Sequence, residues 1–205
     1  MSYVRNIDDL LQDPELPAIV RDLTRRVQEE EKLREEYYAL VHEDCKAEFI
    51  NGEIIYQSPV RTGHWAVSMK LSSQLHQFVK KHDLGMVGVE KVMIKMTRNN
   101  YEPDICFFNK EKSIDFKEDQ MIFPVPDFVV EIISKSTEKV DRGIKFKDYA
   151  LHGVSEYWLI DPGEKTVEQY LNHAGQFQLA SKIRLKGELI AEAVPGFSVD
   201  ISGLW

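Results

Sequence analysis

The sequence predicts an α/β fold: a mixed sheet flanked by helices, with an N-terminal helical arm. Three stretches carry that prediction. Residues Phe128 to Asp161 read FVVEIISKSTEKVDRGIKFKDYALHGVSEYWLID, in which a short β-branched run is followed by a polar stretch and a helical segment. That segment places Asp141, Lys145 and Tyr149 at four-residue steps, closes at Gly153 and leads into a second apolar run, Tyr157 to Ile160. Strand, helix, strand favours a parallel pair with a crossover helix on one face of a sheet. After Asp161-Pro162-Gly163, alternating runs predict an antiparallel extension of that sheet. Before Ala47, a charged amphipathic run from Ala18 to Leu40 predicts the arm.

In order along the chain, Ile19, Leu23, Val27, Leu33, Tyr37 and Leu40 keep helical spacing among the charges of RRVQEEEKLREE, after Pro14 and Pro17 interrupt an earlier segment. Such a helix either packs on its own domain or reaches a second copy. Then AEFINGEIIY forms two extended runs about Asn51-Gly52, the strongest short signal for a hairpin, with Glu48 and Glu53 near the turn. A helix follows from about Gly63 to His82, capped by Thr62, with Val67, Leu71, Leu75 and Phe78 as its apolar stripe and His64 one turn earlier. Val87 to Met96 reads as one strand, Arg98-Asn99-Asn100 as a turn, and YEPDICFF as another extended run. Residues Asn109 to Gln120 form a loop or short helix, and Pro124 and Pro126 lead into the strand that carries Glu131.

Length and composition bound the function. A chain of 205 residues with 43% apolar content can bury one sizeable core. No run approaches a membrane span, and the first residues lack the order of a secretory signal, so a cytoplasmic protein with no membrane partner is expected. Cys45 and Cys106 are too few for a disulfide framework and read as reduced, packed thiols. The net charge of −8 is concentrated early: residues 1 to 53 hold 14 acids against 7 bases, leaving 20 against 19 for the rest. The near-neutral remainder neither supports nor excludes a nucleic-acid substrate.

Two acids stand out. Asp104 shares a strand face with Cys106 and Phe108, and Glu131 shares one with Val129 and Ile133. A carboxylate buried among apolar neighbours must be paired, hydrogen-bonded or bound to a cation. Either the two acids pair with strand-edge amides or with Lys145, or they hold a divalent ion. Mg²⁺ suits hard oxygen ligands and completes its shell with water and substrate phosphate. His64, on residues alone, is either a packing histidine or a ligand.

The motifs EFINGEI, RTGHW, EPDICFF, VVEIIS and D-x-x-x-K-x-x-x-Y followed by HGVSEYWLIDP resemble the Uma-two family, within the PD-(D/E)XK nuclease superfamily. The resemblance covers about Ala47 to Trp205, which divides the chain into an arm, 1–46, and a restriction-endonuclease-like domain, 47–205. It implies that Asp104 and Glu131 are metal ligands, with the Ile132 carbonyl completing the shell. The superfamily's lysine position is held here by Ile133, and the resemblance implies that Lys145 from the following helix replaces it. Glu48 and His64 match family positions as a further ligand or as groups orienting water, and Lys135 and Lys147 are placed to contact phosphate. The implied activity is Mg²⁺-dependent hydrolysis of phosphodiester bonds in DNA, with Mn²⁺ as a substitute and a homodimer to cut two strands. Two other readings compete: a nuclease fold kept for nucleic-acid binding or assembly with little or no catalysis, and a hydrolase of small phosphoesters.

Overall fold

The computed structural model describes residues 7–41, 46–56 and 58–205, so Cys45 lies outside the described residues. Helices α1 (Ile7–Leu11) and α2 (Leu16–Leu40) come first, then the hairpin β1 (Ala47–Ile50) and β2 (Glu53–Tyr56). Asn51 and Gly52 both adopt positive φ, 51° and 87°, which is the two-residue turn that Asn-Gly favours, and Ile50 pairs with Glu53 across it. Helix α3 spans Thr62–His82 and is entered from extended Arg61 with no side-chain cap, so Thr62 is its first residue rather than its cap.

The expected strand from Val87 to Met96 is two strands. β3 (Gly85–Val89) ends where Glu90 and Lys91 take positive φ of 55° and 22°, and β4 (Met93–Lys95) continues in a different sheet. The YEPDICFF run divides in the same way, into β5 (Asn100–Tyr101) and β6 (Ile105–Asn109). Then come α4 (Lys110–Ser113), β7 (Ile122–Phe123) and β8 (Phe128–Ile132). The crossover helix is built of α5 (Glu138–Val140), a wider π turn over Asp141–Lys145, and α6 (Phe146–Leu151). The chain closes with β9 (Glu156–Asp161), β10 (Thr166–His173), β11 (Gln176–Arg184), β12 (Glu188–Ile190), β13 (Ser198–Asp200) and a 3-10 turn, Ile201–Leu204.

The main sheet has six strands in the order β11-β10-β9-β8-β6-β3, with β8 and β9 parallel, as the strand-helix-strand pattern requires, and its other pairs antiparallel. A second sheet, β2-β1-β5-β4-β7, packs beside it, and β12 and β13 form a small third sheet instead of extending the first. The mixed sheet is therefore present, and the second sheet is what sequence patterning alone did not reveal.

Side-chain alternation splits the core in two. Ile105, Phe107, Phe128, Val130, Ile132, Trp158 and Ile160 face α3, where Val67, Leu71, Leu75 and Val79 meet them. On the other face Cys106, Phe108, Val129, Tyr157 and Leu159 meet Ile94 and Tyr101 of the second sheet and Tyr149 of α6. Burial in that layer pushes the Cys106 thiol well above its ordinary pKa, as fits a packing cysteine. The last turns of α2 belong to the same body: the Tyr37 hydroxyl donates to the Ala47 carbonyl at 2.8 Å, and Arg34 donates to the Met96 and Thr97 carbonyls at 2.6 and 2.7 Å. One turn earlier Glu30 accepts from Arg98 at 2.7 and 2.8 Å, and before it Val20, Leu23 and Val27 are about half exposed.

Trp158 is fully buried and packs edge-on against Phe128 at 5.0 Å between ring centres. Trp158→Ala is expected to cost about 3–5 kcal/mol, read as a lower urea midpoint at unchanged slope.

Candidate active site

The site forms where β6 and β8 run side by side. Ile105 pairs with Val130 and Cys106 with Val129, so one further step of the antiparallel register sets Asp104 opposite Glu131. The two acids project from neighbouring strands on the face that meets the second sheet. Each has a different set of partners.

Asp104 faces His64 and the end of β8. Its Oδ2 accepts from the Ile132 amide at 2.7 Å and lies 3.1 Å from His64 Nε2. Burial pushes the Asp104 carboxyl up, but the His64 contact and the Ile132 amide outweigh it and hold the pKa below the ordinary range. For His64, burial acts downward, and the bond to Asp104 reverses it and raises the pKa. Ile132, expected to lend its carbonyl, is tied to Asp104 through its amide.

Glu131 belongs to a buried cluster around Lys145. Lys145 Nζ lies 2.8 Å from Glu48 Oε1, 3.0 Å from Glu131 Oε1 and 3.6 Å from Asp141 Oδ1, and 5.8 Å from the centre of the Tyr101 ring. The Tyr149 hydroxyl also donates to Glu131 Oε1, at 3.2 Å, and the Glu102 amide donates to Glu48 Oε1 at 2.8 Å. The π turn widens the helix at Asp141–Lys145 and leaves both ends of the turn buried; such turns recur at functional sites. Burial drives the Glu131 carboxyl well above its usual range despite Lys145, with Asp141, Asp104 and Glu48 adding repulsion. Burial acts downward on Lys145, yet Glu131, Glu48 and Asp141 hold it strongly protonated, well above its ordinary value.

All five residues expected to act, Asp104, Glu131, Lys145, Glu48 and His64, are thus joined by two linked clusters. Lys135 and Lys147 are exposed. Sequence reading missed Glu90 and Lys46, which pair with each other at the rim, and the role of Asp141, whose carboxyl is pushed up by burial. Asp141 had a signal in the D-x-x-x-K spacing; Glu90 had none, because it reaches the site only through the break between β3 and β4.

The donor set suits a hard divalent cation. Six carboxyl groups (Glu48, Glu90, Glu102, Asp104, Glu131 and Asp141) gather near Lys46, Lys145 and His64, and Glu102 Oε2 and Asp141 Oδ1 are buried without a hydrogen-bond partner among the described residues. Burial and the Glu48 charge push the Glu102 carboxyl up to about 7. An excess of buried oxygen charge is what a cation of this class would neutralise.

This fold is a mixed α/β one that brings the acids and the lysine together, and comparisons with known proteins place it. The Uma2 family model, described as "Putative restriction endonuclease", matches residues 34–202, and the chain belongs to that family. An uncharacterized protein of Synechocystis sp. (strain PCC 6803) is 28% identical over 160 residues, 73% of this chain and 81% of that protein. The crystal structure of "a putative nuclease belonging to DUF820" from Anabaena variabilis ATCC 29413 superposes with a TM-score of 0.70 at 22% identity, covering 83% of this chain and 95% of that one. That likeness shows the fold.

The raised Glu102 carboxyl gives a stability test. A carboxyl raised in the folded state stabilises below its unfolded value, here 4.5, and that contribution is lost as pH rises through about 7. Glu102→Gln is therefore expected to be more stable than the parent at pH about 8 and to lose that advantage by about pH 5, read by urea unfolding at both pH values.

Proposed function

We propose that the protein is a Mg²⁺-dependent endonuclease that hydrolyses phosphodiester bonds in DNA, with Mn²⁺ able to substitute. The observation that carries the reading is the convergence of Asp104 and Glu131 from paired strands beside the buried ammonium of Lys145, in a chain of a nuclease family. Asp104 and Glu131 would hold the ion, with the Ile132 backbone beside them; when bound, such an ion neutralises phosphate charge and lowers the pKa of its water. His64 fixes the Asp104 carboxylate through Nε2. Glu48 and Asp141 hold Lys145 in place and keep it charged. Because its pKa is raised, Lys145 serves as a donor that orients the attacking water and faces the charge developing on phosphate, rather than as a base that removes a proton. Exposed Lys135 and Lys147 supply backbone contacts for DNA.

The same reading assigns residues 1–46 to an arm and 47–205 to the nuclease domain, with a homodimer so that two copies of one site act on two strands. The half-exposed Val20, Leu23 and Val27 of α2 are the surface for that contact. One observation favours the competing reading, a binding or assembly module with little catalysis: Ile133 is a packed apolar residue where the superfamily has a lysine.

Nicking of supercoiled plasmid decides between them. The parent is expected to nick with Mg²⁺, and Asp104→Asn and Glu131→Gln are each expected to lose at least about a hundredfold in rate. DNA binding without nicking by the parent, unchanged in Asp104→Asn, would instead establish the binding module. For the dimer, light scattering is expected to give twice the chain mass for the parent and one chain mass for Leu23→Ser/Val27→Ser; equal masses would remove the arm from the contact.

A further inference from the structure

His64, Glu90 and Asp104 come from three separate parts of the chain: the first turn of α3, the break between β3 and β4, and the lead into β6. Each offers one ligand atom, and these atoms lie within 4.8 Å of one another. The break itself brings Glu90 there. Its φ of 55° and that of Lys91, 22°, are left-handed values that a non-glycine residue adopts at a cost, and the Glu90 amide donates to the Asp104 carbonyl at 3.0 Å, tying the turn to the strand that carries the ligand.

The groups now paired with the two acids are the Lys46 ammonium on Glu90 and the His64 ring on Asp104. His64 is not a satisfied packing histidine. Its side chain is only 10% exposed, and its Nδ1 is buried without a hydrogen-bond partner, so the ring is tied to the protein through the nitrogen that faces Asp104. A buried imidazole whose Nε2 faces the Asp104 carboxylate, with a Glu90 oxygen in the same cluster, has the chemistry of a ligand.

We propose that His64, Glu90 and Asp104 form a cation site of their own, sharing Asp104 with the Asp104/Glu131 pair, and that its imidazole ligand makes it take a first-row transition cation such as Mn²⁺ in preference to Mg²⁺. This rests on the nuclease reading only in taking Asp104 as a metal ligand. One nitrogen and two carboxylates suit borderline ions better than Mg²⁺, which holds to oxygen ligands and water. The Glu131 side, with oxygen donors and Lys145, stays the Mg²⁺ side. The two ions would thus be distinguished by one residue, His64.

Calorimetric titration of Mn²⁺ and of Mg²⁺ into the full-length parent, Glu90→Gln, His64→Gln and Glu131→Gln tests this, with pulsed electron paramagnetic resonance on the Mn²⁺-loaded parent. The expected results are tighter binding of Mn²⁺ than of Mg²⁺ by the parent and a Mn²⁺ affinity at least about tenfold weaker in Glu90→Gln and His64→Gln. Glu131→Gln should retain the Mn²⁺ site, and the parent should show nitrogen coupling to bound Mn²⁺. The spectroscopic measurement needs no variant to fold. Absence of nitrogen coupling, or Mn²⁺ affinity unchanged in folded Glu90→Gln and His64→Gln, would overturn the site. Nicking on the same samples separates the two claims: cleavage in Mg²⁺ without nitrogen coupling overturns this site alone, and nitrogen-coupled Mn²⁺ in a protein that never nicks supports the site while sinking the nuclease.

Discussion

One buried ammonium organises the half of this molecule where the two sheets meet. Lys145 lies within 3.0 Å of both Glu48 and Glu131 and 3.6 Å from Asp141, with all four side chains at most 5% exposed. Three carboxyls and one lysine in so small a space are tolerable only because the geometry is close and because further donors, the Glu102 amide and the Tyr149 hydroxyl, share the load. Removing the lysine would leave buried charge uncompensated, a loss of the order of 3–5 kcal/mol in comparable pairs. The cluster also links parts of the fold that are distant in sequence: Glu48 from the second sheet, Glu131 from the main sheet, and Asp141 and Lys145 from the π turn. It is the joint at which the two sheets and the crossover helix meet.

Around that joint the architecture has a clear division of labour. The face of the main sheet that meets α3 is a core built mostly of Val, Leu, Ile, Phe and Trp, where stability is concentrated. The opposite face carries aromatic and apolar side chains up to its end, and there gives way to Asp104 and Glu131. A strongly packed layer behind and a cluster of charged side chains in front hold the acids at fixed positions. The rise in the Glu131 pKa and the buried Glu102 oxygen without a hydrogen-bond partner record what that arrangement costs in the protein alone.

Much of this was legible in the sequence because it depends on local pattern. The parallel β8/β9 pair followed from strand-helix-strand order, the β1/β2 turn from Asn-Gly, and the shared face of Asp104 and Glu131 from period-two alternation. What was not legible depends on backbone breaks and long-range packing. A run such as VGVEKVMIK alternates like one strand, and nothing in its residue types marks Glu90 and Lys91 as the left-handed corner that sends the chain into a second sheet. The same corner delivers Glu90 to His64, so the missed sheet and the missed site residue have a single cause. Asp141 and Lys145 were visible as an i, i+4 pair, but the π turn that buries both could not be read from an ordinary helical period. The apolar stripe of α2 left open a helix packed on its own domain or one reaching a second copy, and only its last turns bury a residue, Tyr37, against the domain.

The central claim is that the acids gathered around Asp104, Glu131 and Lys145 form a working hydrolytic centre for DNA and are not merely a structural joint. The most direct test is to incubate the purified full-length protein with supercoiled plasmid in the presence of Mg²⁺ and, in parallel, with the ion removed by a chelator and then restored. Nicked circles that form with Mg²⁺, stop with the chelator and return on restoration are what this account predicts. No nicking in any of the three conditions by folded protein, or nicking indifferent to the chelator, would contradict it.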